Sequence, residues 1–245
     1  MRNKALDLIK LLAIITMVID HCRFIFPLYQ SQLMAIGRWA FPLFAYALAL
    51  NTFRALSNDK LSTIKSYFIN LILFSLISEI PYKLMVGESS VLNVMPTLLI
   101  GFIFIVLLYK TESKFKKIIF YICGVGILLP VQHYLEYGLF GVLLIVAFYW
   151  WFSATTLSIK YLSFALCVVF ALLCNLQYYF SIIEVMGVFN AYTNAIILNI
   201  VLAMVSIFLI TNYDLIKFNV PKVGKWAYWF YPVHMALFFA IGKLI

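Results

Sequence analysis

Residues 11–26 have the sequence LLAIITMVIDHCRFIF, an apolar stretch that carries Asp20 and His21 side by side near its end, with Arg23 close behind. Placing a carboxylate and an imidazole in hydrocarbon costs on the order of several kcal/mol unless the groups are paired or line a cavity. The stretch therefore predicts a membrane helix that ends in a polar site.

The composition of the whole chain also indicates a membrane protein. Of its 245 residues, 65% are hydrophobic and only 11% are charged. Apolar stretches of roughly 17–22 residues recur, and each is long enough to cross ~30 Å of hydrocarbon as a helix. We predict an all-α polytopic membrane protein, a single domain over residues 1–245, with about nine transmembrane helices (8–10 in range). The predicted spans are Ala5–Phe26, Leu33–Ala55, Ile64–Leu84, Val91–Tyr109, Ile118–Tyr134, Tyr137–Phe152, Tyr161–Phe180, Val188–Thr211 and Trp226–Ile245.

The net charge of +9 is concentrated in alternate loops between these spans. Loops two, four and eight are rich in Lys and Arg, whereas the odd-numbered loops are poor in them apart from Lys83. This alternation follows the positive-inside rule, so we predict a cytoplasmic N-terminus. The same distribution excludes nucleic acid as a partner, and it makes the lipid bilayer the predicted surrounding.

The sequence lacks the common motifs for metal, phosphate or nucleophile sites. The four cysteines (Cys22, Cys123, Cys167 and Cys174) fall in or at the ends of apolar spans and lack the spacing of metal ligands. Thiols in such positions are usually packing residues, so we predict no metal site. The sequence also has no Gly-rich phosphate loop, no Gly-x-Ser-x-Gly motif and no internal repeat.

Polar side chains from several spans are predicted to share one leaflet. Spans one and two form a hairpin, so Asp20, His21 and Arg38 each lie about six residues from the turn, some 8–9 Å below the outer surface at ~1.5 Å per residue. By the same count, Glu79 and Asn93 reach this leaflet, and His234 lies nearer the middle. This gathering predicts a functional site.

Each of these residues also has a structural interpretation. Asp20 is able to form a buried ion pair with Arg23 or Arg38. Arg38 is long enough to extend to the outer interface. Glu79 and Lys83 are i, i+4 neighbours in the order that favours a helix-end pair.

Four runs resemble the TraX family and occur in that family's order. They are MVIDH (17–21), GRWAFPLFAY (37–46), SEIPY (78–82) and YPVH (231–234). Further similar positions are Asn93, Thr97, Gly101, Glu136, Tyr137, Gly138 and Gly141. The resemblance extends over nearly the whole chain and implies an integral membrane acyltransferase. In this family the implied reaction is N-acetylation of a conjugative pilin with acetyl-CoA.

The resemblance also implies roles for individual residues. The implied catalytic residues are His21, Asp20 and Arg38. Glu79, Asn93 and His234 are implied to line the site, and with their leaflet neighbours they form a predicted substrate pocket of Glu79, Tyr82, Lys83, Asn93 and His234. The predicted contacts of the CoA phosphates are the basic residues of the cytoplasmic loops, Arg54, Lys60, Lys65, Lys114, Lys116, Lys117, Lys217, Lys222 and Lys225.

The chemistry of acyl transfer fits these residues. Histidine is suited to accept the proton of an attacking amine or hydroxyl near neutral pH. Asp20 is one candidate to orient His21, but adjacent residues point about 100° apart on a helix. A residue one turn away, or Glu79, is the alternative partner. Arg38 is expected to stabilise the developing oxyanion.

We therefore expect an acetyltransferase of the bacterial cytoplasmic membrane that uses acetyl-CoA and acts on an acceptor peptide or an envelope glycan. One alternative is a proton-coupled transporter or exporter with Asp20, His21 and Glu79 as a relay. Such proteins often show internal repeats and polar groups through both leaflets, and neither is evident here. A second alternative is an assembly subunit without activity. The sequence is also compatible with a homo-oligomer.

Overall fold

The computed structural model describes residues 3–187, 190–213 and 216–244, without the side chains of Lys114 and Gln177. Within these residues the secondary structure is helical and contains no strand, which confirms the predicted all-α class. The predicted limits at Val188 and Ile245 lie outside the described residues. The described helices are α1 (Lys4–His21), α2 (Gln30–Gly37), α3 (Ala40–Ser57), α4 (Leu61–Val86), α5 (Val94–Lys110), α6 (Lys114–Val131), α7 (Gly138–Ser153), α8 (Leu157–Leu173), α9 (Leu176–Met186), α10 (Ala191–Asn212) and α11 (Trp226–Leu244).

Each predicted span coincides with one helix or with two consecutive helices. The second predicted span is divided into α2 and α3 by a break at Arg38 and Trp39. The seventh is divided into α8 and α9 by a break at Cys174 and Asn175. These two breaks are not part of the sequence prediction.

Several of the helices are long and apolar enough to cross a membrane, which makes this a multi-pass membrane protein. Within the described part of the chain, four segments meet that test: Pro27–Ser57, Leu61–Val86, Phe115–Tyr134 and Ala191–Asn212. A fifth is added if α8 and the bent segment after it count as one span. Since α5 and α7 are apolar but only 17 and 16 residues long, the number nine stays a prediction.

Polar side chains fix where several helices begin. The Asn3 side chain accepts a hydrogen bond from the backbone N–H of Leu6 at 2.8 Å, and Asn190 accepts one from Thr193 at 2.8 Å. Asn93 caps α5 in the same way. Each cap satisfies an N–H group that the first turn of a helix leaves without a partner. Local sequence therefore specifies these helix starts.

The chain divides into two compact units. The first consists of Met1–Ala47, Ile80–Gly87 and Asn175–Ile245, and the second of Leu48–Glu79 and Glu88–Cys174. The single domain over residues 1–245 stays a prediction.

In the first unit, α1 and α11 run in the same direction. Near the start of both helices, the Asp7 carboxylate accepts a hydrogen bond from the backbone N–H of Val223 at 3.3 Å. Near the other end, a Cβ placed on Gly242 would lie 3.9 Å from the carbonyl oxygen of Phe24. Two membrane spans run in the same direction when an odd number of spans lies between them, as seven do between the predicted first and ninth spans.

In the second unit, α5 and α7 are in close contact. Ile105 on α5 and Val142 and Ile145 on α7 are 0% exposed. A Cβ placed on Gly101 would lie 2.5 Å from Cδ1 of Ile145 and 2.9 Å from its Cβ. Only glycine allows this approach of the two helices.

Gly101→Ala is therefore expected to destabilise the protein by about 1–3 kcal/mol, the usual cost of an added methyl group in a packed interface. The midpoint of thermal unfolding of the purified protein in detergent measures the effect. Gly126→Ala is the matched control, because a Cβ at that helical glycine meets nothing within 4 Å. Ile145→Val removes the clashing Cδ1 atom and should restore part of the loss. An unchanged midpoint for Gly101→Ala would contradict this packing.

Candidate functional site

His21 and His234 form a hydrogen-bonded pair in the first unit. His21 is the last residue of α1, and its Nδ1 lies 2.7 Å from Nε2 of His234 on α11. The two rings are nearly parallel, with 4° between their planes. His21 is partly buried and His234 is buried. The structure thus joins two predicted site residues that are 213 positions apart in the chain.

The hydrogen bonds of this pair determine which ring nitrogens carry protons. Nδ1 of His234 lies 2.8 Å from the carbonyl oxygen of Phe230, and a carbonyl oxygen only accepts, so this Nδ1 is protonated. In a neutral ring, Nε2 of His234 is then an acceptor and Nδ1–H of His21 donates to it. Nε2 of His21 is left with a lone pair, which is the form that a general base requires.

Aromatic rings hold His234 in this orientation. The ring of Phe230 stacks on it at a centroid distance of 5.1 Å, and the ring of Phe238 meets it edge-on at 5.8 Å. Together with the bond to the Phe230 carbonyl, these contacts limit rotation of the imidazole. His234 is therefore the partner of His21, in place of Asp20 or Glu79, which the sequence analysis considered for that task.

Asp20 pairs with Arg23 instead. Nη1 of Arg23 donates to Oδ1 of Asp20 at 2.9 Å, one turn apart on the chain. α2 passes very close to this carboxylate, since a Cβ on Gly37 would overlap Asp20 and come within 2.6 Å of its Cγ. This ion pair is the structural alternative that the sequence analysis left open for Asp20.

Arg38 lies at the break between α2 and α3. Its Nη1 donates to Oδ1 of Asn175 at 3.0 Å, and its guanidinium carbon lies 5.6 Å from the ring centroid of Tyr178 on α9. Asn175 is itself at the break between α8 and α9. Interrupted helices occur inside membranes where they line a cavity or are buried in protein, often at binding sites. Neither Asn175 nor Tyr178 was among the predicted site residues; the only signal for Asn175 in the sequence is that it is a polar residue in an apolar run.

Glu79 and Asn93 bind each other in the second unit. Oε2 of Glu79 accepts from the Asn93 side chain at 2.7 Å and from its backbone N–H at 3.0 Å. The Asn93 amide also donates to the carbonyl of Ser75 at 2.8 Å, and its oxygen accepts from the N–H of Met95 at 2.9 Å. Asn93 is 0% exposed. It ties the start of α5 to α4, while the role of both residues in a substrate pocket stays a prediction.

The other predicted pocket residues, Tyr82 and Lys83, belong to the first unit. Tyr82 is buried, and Nζ of Lys83 lies 5.8 Å from the centroid of its ring. This contact places a cation on an aromatic ring within one helix turn. A contact of either side chain with substrate stays a prediction.

The predicted CoA-binding residues are divided between the two units. The second unit contains Arg54, Lys60, Lys65, Lys116, Lys117 and Lys114, whose side chain is not described. The first contains Lys217, Lys222 and Lys225, all exposed. Their loop is held by the buried Val220 and Val223 and by the bond to Asp7. Asp7 lies about 21 Å along α1 from His21 at ~1.5 Å per residue.

Comparison with known proteins agrees with the resemblance of the motifs. A family model described as TraX protein matches residues 5–242. Protein TraX of Escherichia coli is 48% identical to the chain over 48 residues, which are 20% of this chain and 19% of that protein. The chain thus aligns with about a fifth of that relative's length. No solved structure matches.

Asn93→Ala is expected to cost about 1–3 kcal/mol of stability, because it removes a buried donor from Glu79 and from the Ser75 carbonyl. Asn93→Asp should cost more, since it sets two carboxylates against each other. Thermal unfolding of the purified protein in detergent measures both effects.

Glu79→Gln in the Asn93→Asp background removes one of the two like charges and should restore part of the midpoint. Asn190→Ala is the matched control, because that side chain also caps a helix, worth about 1 kcal/mol, but its hydrogen bonds stay within its own loop and helix start. If Asn93→Ala were as mild as Asn190→Ala, the bonds between α4 and α5 would not carry stability.

Proposed function

Because the chain belongs to the TraX family, we propose that this multi-pass membrane protein is an acetyltransferase with His21 as its general base. The acyl donor is acetyl-CoA. The acceptor is an amine or hydroxyl of a membrane-associated or exported molecule, and the location is the bacterial cytoplasmic membrane. The observation that carries the proposal is the His21–His234 pair, since its hydrogen bonds leave the lone pair on Nε2 of His21.

In the proposed reaction, Nε2 of His21 accepts a proton from the acceptor while the acceptor nitrogen or oxygen attacks the thioester carbonyl. The carbon–sulfur bond then breaks. His21 returns the proton to the departing thiolate, so the products are the acetylated acceptor and CoA, and the histidine is regenerated. A positioned acid–base group of this kind contributes ~10²–10⁴-fold to the rate.

His234 acts on the reaction through His21. Nε2 of His234 accepts the hydrogen bond that Nδ1–H of His21 donates, and this hydrogen bond strengthens when His21 becomes positively charged. A buried carboxylate has the same task in serine hydrolase triads. A neutral imidazole suits an apolar interior better, because it adds no charge that burial would penalise.

Arg38 is proposed to stabilise the negative charge that develops on the thioester oxygen. The amide oxygen of Asn175 accepts a hydrogen bond from the Arg38 guanidinium, and the ring of Tyr178 lies beside it, so both residues position the group. Donors aimed at a developing oxyanion in a site of low dielectric are often the largest single contribution to catalysis.

The CoA phosphates are proposed to bind the exposed lysines where α1 and α11 begin. The ~21 Å along α1 from Asp7 to His21 is a distance of the order that an extended pantetheine arm spans. The donor then reaches His21 from the cytoplasmic side, and the acceptor approaches from the other side.

His21→Ala is expected to lower acetyl transfer by about 10²–10⁴-fold in a protein that still folds. His234→Ala should lower kcat by a smaller factor with little change in KM, because His21 keeps its place but loses its partner. His234→Gln, which retains an acceptor oxygen, should restore part of kcat. Transfer from radiolabelled acetyl-CoA to a panel of membrane acceptors measures these changes.

His133→Ala is the matched control for the histidine series, since His133 is exposed. If His21→Ala retained normal turnover while His234→Ala lost it, the general base would be on α11, and the assignment to His21 on α1 would be wrong. Normal turnover of both variants would refute the enzymatic role and favour a transporter.

Acetyl-CoA at millimolar concentration is expected to raise the midpoint of thermal unfolding, because a ligand that binds only the folded state stabilises it by mass action. Neutralising Lys222 and Lys225 together should reduce the shift and its salt dependence. Lys243→Gln, at the opposite end of α11, is the control. A wild-type midpoint that does not move would contradict donor binding.

A further inference from the structure

The exposed apolar side chains of α11 form a stripe along one face of that helix. Trp226, Trp229, Val233 and Leu237 are 47%, 57%, 59% and 55% exposed, and their spacing of three and four residues places them on one face. His234 lies on the buried side. Since α11 is the predicted last span, we expect the stripe to contact lipid. It begins with two tryptophans, which are typical of the membrane interface.

A hydrogen bond ties a basic residue to the start of this stripe. The indole N–H of Trp226 donates to the backbone carbonyl of Lys222 at 3.3 Å, and the ring of Phe230 meets the indole edge-on at a centroid distance of 6.1 Å. Lys225 directly precedes the helix. Because these contacts hold the indole beside the loop, both lysines lie where the lipid-facing stripe reaches the membrane surface.

The loop that carries the two lysines is held in place by buried contacts. Val220 and Val223 are buried, and the buried carboxylate of Asp7 accepts a hydrogen bond from the backbone N–H of Val223 at 3.3 Å. Lys222 and Lys225 alternate with these anchors and are exposed. Within the described residues, neither lysine takes part in an ion pair. A loop that is already ordered lowers the entropic cost of binding a ligand.

Lysines and tryptophans together indicate the chemistry of the ligand. Each lysine beside a membrane surface strengthens the binding of anionic lipid by about fivefold. Tryptophan rings at the interface contact the upper part of the lipid chains. A soluble anion would contact the lysines only, whereas a lipid contacts the lysines and the rings. The arrangement therefore favours an anionic phospholipid over a free phosphate.

We propose that Lys222, Lys225, Trp226 and Trp229 form a binding site for an anionic phospholipid of the leaflet in which α11 begins. The ammonium groups bind the headgroup phosphate, and the two rings contact the chains. The same lysines are proposed above to bind the CoA phosphates, so bound lipid excludes acetyl-CoA from them. This exclusion rests on the proposed function, whereas the binding of the lipid does not.

Lipid retention by the full-length protein in detergent tests the site. Native mass spectrometry would compare dioleoyl phosphatidylglycerol with dioleoyl phosphatidylcholine, without acetyl-CoA. We expect the anionic lipid to bind about 25-fold more tightly, since two lysines contribute about fivefold each. Soluble glycerol 3-phosphate at equal concentration should not displace it, because it does not contact the rings. Equal binding of the two lipids, or displacement by the soluble phosphate, would overturn the proposal.

Substitutions distinguish a defined site from general attraction to a basic surface. Lys222→Gln combined with Lys225→Gln should abolish the preference for phosphatidylglycerol. Trp226→Phe keeps a ring but removes the hydrogen bond to the Lys222 carbonyl, and it should lower the preference severalfold. Lys60→Gln combined with Lys65→Gln is the matched control, because it removes the same charge from another exposed pair of lysines. An equal loss in the control would mean that only net charge matters, and it would overturn the site.

A competition experiment separates this inference from the proposed function. Acetyl-CoA at millimolar concentration should displace phosphatidylglycerol from the wild-type protein, and the lipid should reduce the shift of the unfolding midpoint that acetyl-CoA causes. Lipid preference without displacement would overturn the exclusion and the proposed place of the CoA phosphates, and the lipid site would stand. Stabilisation by acetyl-CoA without any lipid preference would overturn the lipid site and leave the proposed function standing.

Discussion

A polar side chain among apolar helices has to find its hydrogen-bond partner in the protein, because hydrocarbon supplies none. In the first unit this requirement pairs His21 with His234, and it pairs the indole N–H of Trp39 with the side-chain oxygen of Asn199 at 2.9 Å. Each pair joins helices that are distant in the chain. Hydrophobic contacts alone tolerate sliding and rotation of one helix on another, whereas a partnered polar group fixes depth and direction together.

Depth along the helices is only partly predictable from the sequence: the count placed His234 nearer the middle of the membrane than His21, whereas the two rings are hydrogen-bonded at 2.7 Å. The rise per residue of a helix is constant, so counting from the turn places His21, Asp20 and Arg38 at one level without any knowledge of packing. Which residue forms a hydrogen bond with His21 cannot be obtained from such a count. It depends on the rotation of α11 and on which helix lies beside α1, and both are set by tertiary contacts. His234 was therefore among the predicted site residues, but its pairing with His21 was not predicted.

The sequence contains a signal for the interruption of the second predicted span at Arg38 and Trp39. Pro42 lies in the first turn of α3, the part of a helix where proline costs no hydrogen bond. A proline there indicates a new helix start near Ala40, and Gly37 just before it is a frequent residue at helix ends. The interruption at Asn175 has no such marker. Helix lengths are more difficult to predict from the sequence. Val142 and Ile145 on α7 are buried within the protein, and a helix that contacts protein instead of lipid does not need the length of a full membrane span.

The direct contact of α1 with α11 has a consequence for biosynthesis. His21 leaves the ribosome long before its partner, since 213 residues separate them and, at ~5–20 residues per second, they take roughly ten to forty seconds to translate. During that time the imidazole enters the bilayer without the bond it has in the folded protein. The nascent chain is then most exposed to proteolysis and misassembly, and a ribosome that stalls before α11 releases a protein with an incomplete site.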